Sequence, residues 1–191
     1  MEVPLRPDQL YTPPPMADLS MVGHRLLWTL QGPLSSSVFV LPEDHNSDGA
    51  RELLLRQTPA GARWHLIAQE PITHIPVASL TDVQPDLDDL PPKFDLLVVR
   101  ALSRDFVTVQ DVVSAVHPWL MERRGDILRA INVADEEYTP PASARLLVLA
   151  TRPEELSVED EDEWMSALRR IYERTIAPAA GDIYNLIRSL R

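Results

Sequence analysis

The sequence predicts an α+β protein: a small, mostly antiparallel sheet packed against two or three helices, preceded by a Pro-rich N-terminal arm. Three observations predict it. Short apolar runs of strand length recur between Pro- and Gly-marked breaks, as at Leu26 to Leu30, Phe94 to Ala101 and Arg145 to Ala150. Two longer stretches, around 109–124 and 158–177, carry apolar residues at helical spacing behind good helix-start residues. A chain of 191 residues with 45% hydrophobic content is long enough to bury a core without staples.

In chain order, residues 1–20 hold five prolines, including Pro13-Pro14-Pro15, and no periodic pattern, so they read as an extended arm. Residues 21–191 read as one α+β domain whose part from about 157 to 191 is helical. Leu26 to Leu30 is the first strand and Val38 to Leu41 the second. The polar stretch from Pro42 to Gly49 reads as a solvated turn. Its alternating oxygens lack the acid a calcium loop needs, because position 12 counted from Asp44 is Leu55. Arg51 to Gln57 and Arg63 to Gln69 form a candidate hairpin around Thr58-Pro-Ala-Gly61.

Ile72 to Val77 is extended, but Pro71 and Pro76 cannot donate ladder hydrogen bonds, which makes it an edge strand or a loop on the sheet. The Asp- and Pro-rich stretch from Thr81 to Lys93 reads as a connector. Phe94 to Ala101 is the strongest strand, and its Leu96-Leu-Val-Val99 run, apolar on both faces, is expected at a central, buried position. Thr108 with Asp111 three residues on predicts a capped helix start, and Val109, Val112, Val113, Val116 and Leu120 give it an apolar face. Pro118 is expected to kink or end that helix's regular bonding near Ser114, and Gly125 to stop it, with a second short helix from Asp126 to Ala134. Arg145 to Ala150 is a further strand. Ser157 with Asp160 reads as the start of a C-terminal helix with Trp164, Leu168, Ile171, Tyr172 and Ile176 on its apolar stripe. A last helix, capped by Asp182, follows.

Composition narrows the function classes. The net charge of −11 disfavours a phosphate-backbone partner, so no nucleic acid is expected. No apolar run approaches the ~18 residues that a membrane span needs, and the N-terminus shows no secretory h-region. A cytoplasmic location is the expectation from these and from the absence of cysteine, which also removes disulfides and thiolate chemistry. Lys93 is the only lysine and lies in the Pro-flanked connector, so lysine-based catalysis has no good site.

The remaining chemistry is sparse. His65, Glu70 and His74 are the one group of His and acid residues close in sequence, and they are the weak candidates for catalysis; their spacing fits no metal triad, and no metal or cofactor is expected. No Gly-x-Ser-x-Gly elbow, P-loop or Gly-rich dinucleotide turn is present. His117, beside Trp119 on the helix, is expected to pack rather than move protons. The unbroken acidic run Glu159, Asp160, Glu161, Asp162 and Glu163 is the candidate partner-binding surface for a basic partner. The four tryptophans fall one per major element, as core or interface anchors do.

The runs Glu70-Pro-Ile-Thr-His-Ile, Phe94-Asp-Leu-Leu-Val-Val and Val107-Thr-Val-Gln-Asp-Val-Val-Ser-Ala-Val together resemble a family of small intracellular proteins, found mainly in mushroom-forming (basidiomycete) fungi and described only as a domain of unknown function. The likeness spans about residues 64–124. It departs from the family pattern at Pro118 and in the acidic, Arg-rich C-terminal helix. That family has no assigned active site, so the resemblance implies no residue role. The expectation is a non-catalytic protein-binding or scaffolding module, acting on a protein partner or as a homodimer. The alternative is a small enzyme or ligand-binding protein with a sheet–helix pocket that uses a His/acid pair.

Overall fold

The alternation of burial along two short strands organises the molecule. In β1 (Leu26–Thr29), Leu26 and Trp28 enter one apolar cluster while Leu27 enters another on the opposite side. In β8 (Leu147–Ala150), Val148 joins the first cluster and Leu147 and Leu149 the second. A strand with apolar residues on both faces needs cover on both, and here each face has its own helix. The computed structural model describes residues 18–42, 51–86, 97–134, 145–150 and 152–171.

The remaining elements, in chain order, are α1 (Leu34–Ser37), β2 (Val38–Val40), β3 (Glu52–Leu53), β4 (Leu55–Thr58), β5 (Gly61–Trp64), β6 (Ser79–Asp86), β7 (Leu97–Arg100), α2 (Val109–Ala134), β9 (Glu155–Glu159) and α3 (Glu161–Ile171). Seven strands form one sheet in the order β3-β2-β1-β8-β9-β6-β7, and β4 with β5 forms a separate hairpin. Every pairing in the large sheet is antiparallel except β6 with β9. The protein is therefore α+β with a mostly antiparallel sheet, as the sequence predicts. Residue 28 lies beside residue 148, so the late hairpin β8–β9 sits in the middle of the sheet.

Helix α2 covers the larger cluster with Val109, Val112, Val113, Val116, Leu120 and Ile127. Its start is a buried capping box. The Asp111 carboxylate accepts from the Thr108 backbone N–H at 2.9 Å and from its hydroxyl at 2.8 Å, while Thr108 Oγ1 accepts from the Asp111 N–H at 3.1 Å. The helix then runs 26 residues, through Pro118 and through Gly125. Neither expected break ends it. Pro118 is exposed, so the turn it weakens faces water, and the apolar face continues unbroken from Val116 to Leu120. Gly125 keeps an ordinary backbone; the positive-φ glycines among the described residues are Gly32 and Gly61. The expected separate helix from Asp126 is the same helix continued.

Helix α3 covers the second cluster, where Trp164 is fully buried beside Leu27, Leu41, Leu147 and Leu149. The Trp164 indole donates to the Val148 carbonyl at 3.3 Å, which satisfies its one polar atom. The helix starts later than the Ser157/Asp160 pattern suggests. Ser157 lies inside β9, and the cap is Asp160, whose Oδ1 accepts from the Glu163 N–H at 3.0 Å. Strand pairing with β8 claims residues 156–159 before the helix can form.

Three further expectations change. The connector after Leu80 begins as strand, since β6 runs to Asp86 and pairs with β9 through residues 84–86. Phe94 to Ala101 supplies β7 at the end of the strand order, not a central strand. Val99 is buried under α2, but Val98 is 46% exposed, because α3 covers the β1–β8 part of the other face and stops short of β7. Ile72 to Val77 is a loop lying on the sheet, held by a Ser20 N–H donated to the Ile72 carbonyl at 2.8 Å and by a bridge between Leu19 and Thr73. Of the expected hairpin, Leu55 to Thr58 pairs with Gly61 to Trp64, and residues 66–69 turn instead into a single 3-10 turn. Most of the Pro-rich arm, most of the 42–49 turn, and the helix expected from Asp182 lie outside the described residues.

Candidate functional site

His65, Glu70 and His74 do not form a constellation. His65 caps the 3-10 turn, its Nδ1 accepting from the Ile67 N–H at 3.3 Å, and its Nε2 stands 3.9 Å from a Glu52 carboxylate oxygen. Its acid neighbour is thus Glu52, in β3, rather than Glu70. The side chains of Glu70 and His74 are exposed, and both residues contribute through their backbones. The Glu70 carbonyl accepts from the Val109 N–H at 3.0 Å, and the His74 N–H donates to the Asp18 carbonyl at 2.8 Å. Among the described residues no hydrogen bond or ion pair joins the three, and no group of three or more His, Asp or Glu could hold a metal ion. No described helix is long and apolar enough to cross a membrane.

The acidic run behaves differently, because strand register and helix start divide it between two elements. Glu159 ends β9 opposite Leu147, so its side chain shares the face that carries Trp164. Asp160 caps α3, and both carboxylate oxygens of Glu161 accept from Arg145 Nη1, at 3.2 and 3.1 Å. Glu163, one turn into the helix, returns beside Glu159. Together Glu159, Glu163, Ser166 and Arg170 line a groove of about 500 Å³ that is open to solvent. Of the groove's residues, Ser166 and Arg170 escape a sequence reading based on the acidic run; the signal for them is helical spacing, since 163, 166 and 170 share one face.

Partial burial raises the Glu159 pKa above the ordinary glutamate value. The Glu163 charge raises it further, Arg170 opposes this, Asp160 adds to it, and a hydrogen bond with Ser157 opposes it. Glu154, at the turn between β8 and β9, is likewise raised by burial, offset by its own backbone hydrogen bond and by Arg152. The groove therefore holds two adjacent carboxylates against one guanidinium, one of them in a setting that disfavours its charge.

A second polar site lies in the core. Trp28 Nε1 donates to His117 Nδ1 at 3.0 Å, and His117 Nε2 stands 3.0 Å from the Gly32 carbonyl oxygen. The rings are tilted by 34° with centroids 6.2 Å apart. Indole can only donate, so Nδ1 is the bare nitrogen and Nε2 carries the hydrogen. His117 is thus a neutral histidine with both nitrogens satisfied, and burial holds its pKa below the ordinary value while the Gly32 bond partly opposes the shift. Its position, four residues beyond Val113 on the apolar face, is the sequence sign of burial; nothing in the sequence signals Trp28 as its partner.

Fold and site together define an α+β protein with a helix on each face of a seven-stranded sheet and an acidic groove where β9 meets α3. Compared with known proteins, the chain matches no family model, no curated protein and no solved structure.

Proposed function

We propose that this chain is a non-catalytic protein-binding module that receives a basic segment of its partner in the groove between β9 and α3. The observation that carries this reading is the proximity of Glu159 and Glu163 in the groove, with Glu159 held at raised pKa by burial and by that neighbour. An arginine or lysine entering there relieves the like-charge repulsion and gains a charge-assisted hydrogen bond. For the His/acid alternative, the acid nearest His65 is Glu52 at 3.9 Å rather than Glu70, and neither His65 nor Glu52 lines the groove.

The test is capture of a partner by the tagged protein from its native lysate at moderate and high salt, repeated with E159Q/E163Q and with the control E122Q/E70Q. The control removes two exposed charges elsewhere. Rim-type charge contacts weaken with salt, so the partner should leave as salt rises. The groove variant should lower capture by roughly tenfold, which corresponds to about 1.4 kcal/mol. An equal loss in the control would mean that net charge alone attracts the partner, and would overturn the reading.

A further inference from the structure

The Trp28–His117–Gly32 arrangement does more than fill the core, because it fastens the corner of the chain between β1 and β2. Residues 30–37 connect β1 to β2. Within the corner, Ser37 Oγ donates to the Pro33 carbonyl at 2.8 Å, and the Ser36 N–H and hydroxyl reach the same carbonyl at 2.9 and 3.0 Å. Its base is closed by Thr29 Oγ1 donating to the Ser37 carbonyl at 3.0 Å. Gly32, exposed and at φ +68°, sits at its tip, in a backbone region open to glycine. Outward, Leu30 is fully buried in the larger cluster, Leu34 packs against it, and α1 touches α2, β3 and β4. Leu30 donates its N–H to the Leu146 carbonyl at 2.8 Å, Arg124 Nε donates to the Leu30 carbonyl at 3.1 Å, and His117 holds Gly32.

Protonation would set an imidazolium N–H against the Trp28 N–H across 3.0 Å, with no acceptor on either side. The elements packed on the ring offer no carboxylate to receive the charge. Strand β1, residues 31–33 and α1 contain no ionisable side chain. On α2, Asp111 is engaged by Thr108, Arg124 adds a second cation near Leu30, and Glu122 and Asp126 pair with Arg123 and Arg129. Of the other elements against α2, residues 66–69 carry no charge and β7 carries the exposed Arg100. The charged ring can be satisfied only by reaching water, and the exposed side of the site is at Gly32.

We propose that His117 is a proton-operated latch: neutral, it holds the 30–37 corner and Trp28 against α2, and its protonation releases that corner as a unit while β8 and β9 remain paired. Opening frees His117 to titrate as an ordinary histidine, so one proton is taken up on opening.

The test is amide hydrogen exchange of the wild-type protein between pH 7.5 and 5, corrected for intrinsic rates. Below about pH 6.5 protection of amides 30–37 and of the Trp28 indole should fall tenfold per pH unit, as one-proton linkage requires. Protection at Val148 and Val158 should not fall in step. H117Q, which keeps an acceptor and a donor but does not titrate, should show a flat profile. Should that variant fail to fold, ¹⁵N shifts of the wild-type ring read the same point, with His117 in the Nε2–H form at neutral pH. A protonated or Nδ1–H ring at neutral pH, a corner with pH-independent protection, or equal loss across β8 and β9 would each overturn the latch.

Discussion

Trp28 and His117, 89 positions apart in the chain, share a buried hydrogen bond at 3.0 Å that ties the central sheet to its long helix. Each ring supplies what the other lacks, since the indole N–H is a donor only and the bare imidazole nitrogen is an acceptor only. Losing one partner strands the other in a dry site, which costs more than the bond itself contributes.

That asymmetry predicts a coupled pair. W28F leaves Nδ1 without a donor and H117L leaves the indole N–H without an acceptor, so each should destabilise by about 1–3 kcal/mol in chemical denaturation. The double variant W28F/H117L should cost less than the sum of the two, with a coupling energy of about 0.5–3 kcal/mol. Strict additivity would show that the bond contributes nothing to stability.

The start of α3 gives a sharper choice between two residues. Asp160 accepts the Glu163 N–H, whereas Ser157 lies in β9. D160A should therefore cost about 0.5–2 kcal/mol, while S157A should stay within about 0.5 kcal/mol of wild type. Thermal melts of the two variants decide it, and the reverse order would place the helix start at Ser157.

Glu159 separates binding from folding. Its folded-state pKa lies above the unfolded value, so its ionised form opposes folding; that penalty is full at neutral pH and fades as pH falls through the raised pKa to below 4.5. E159Q should consequently be more stable than wild type at pH 7, with the advantage disappearing near pH 4, even as it weakens capture of a basic partner. Denaturant midpoints at the two pH values check this. A variant less stable at pH 7 would mean that Arg170 and Ser157 stabilise the carboxylate more than burial and its acidic neighbours penalise it.

Local chemistry carried much of this fold in plain view. Thr108 and Asp111 announce the α2 start because a capping box is made within one turn, and the Val109-to-Leu120 face needs only helical spacing to be seen. The strand runs at Leu26, Val38 and Arg145 are equally local, and each lies on or within a residue or two of an observed strand. The acidic run was visible as well, though not its division between a strand end and a helix start.

Other features depend on which segments meet. The four-residue apolar run at 96–99 reads as a two-sided core strand, yet β7 is an edge strand with Val98 exposed, because α3 packs on Leu27, Leu147 and Leu149 instead. Residues 84–86 look too polar and Pro-broken for a sheet, but parallel pairing with β9 supplies backbone partners that no local pattern encodes. Pro118 and Gly125 are strong breakers on their own, and a continuous buried face outweighs them.

What the sequence by itself determined, then, is the set of elements whose hydrogen bonds close within a few residues, together with the faces they must bury. Only the tertiary structure decided the strand order that puts residues 147–159 at the centre of the sheet, the groove that brings Glu159 to Glu163 and Arg170, and the meeting of Trp28 with His117. The physical reason is range. Capping and periodicity are settled by neighbours, whereas pairing across more than a hundred residues is settled by the free energy of the whole core.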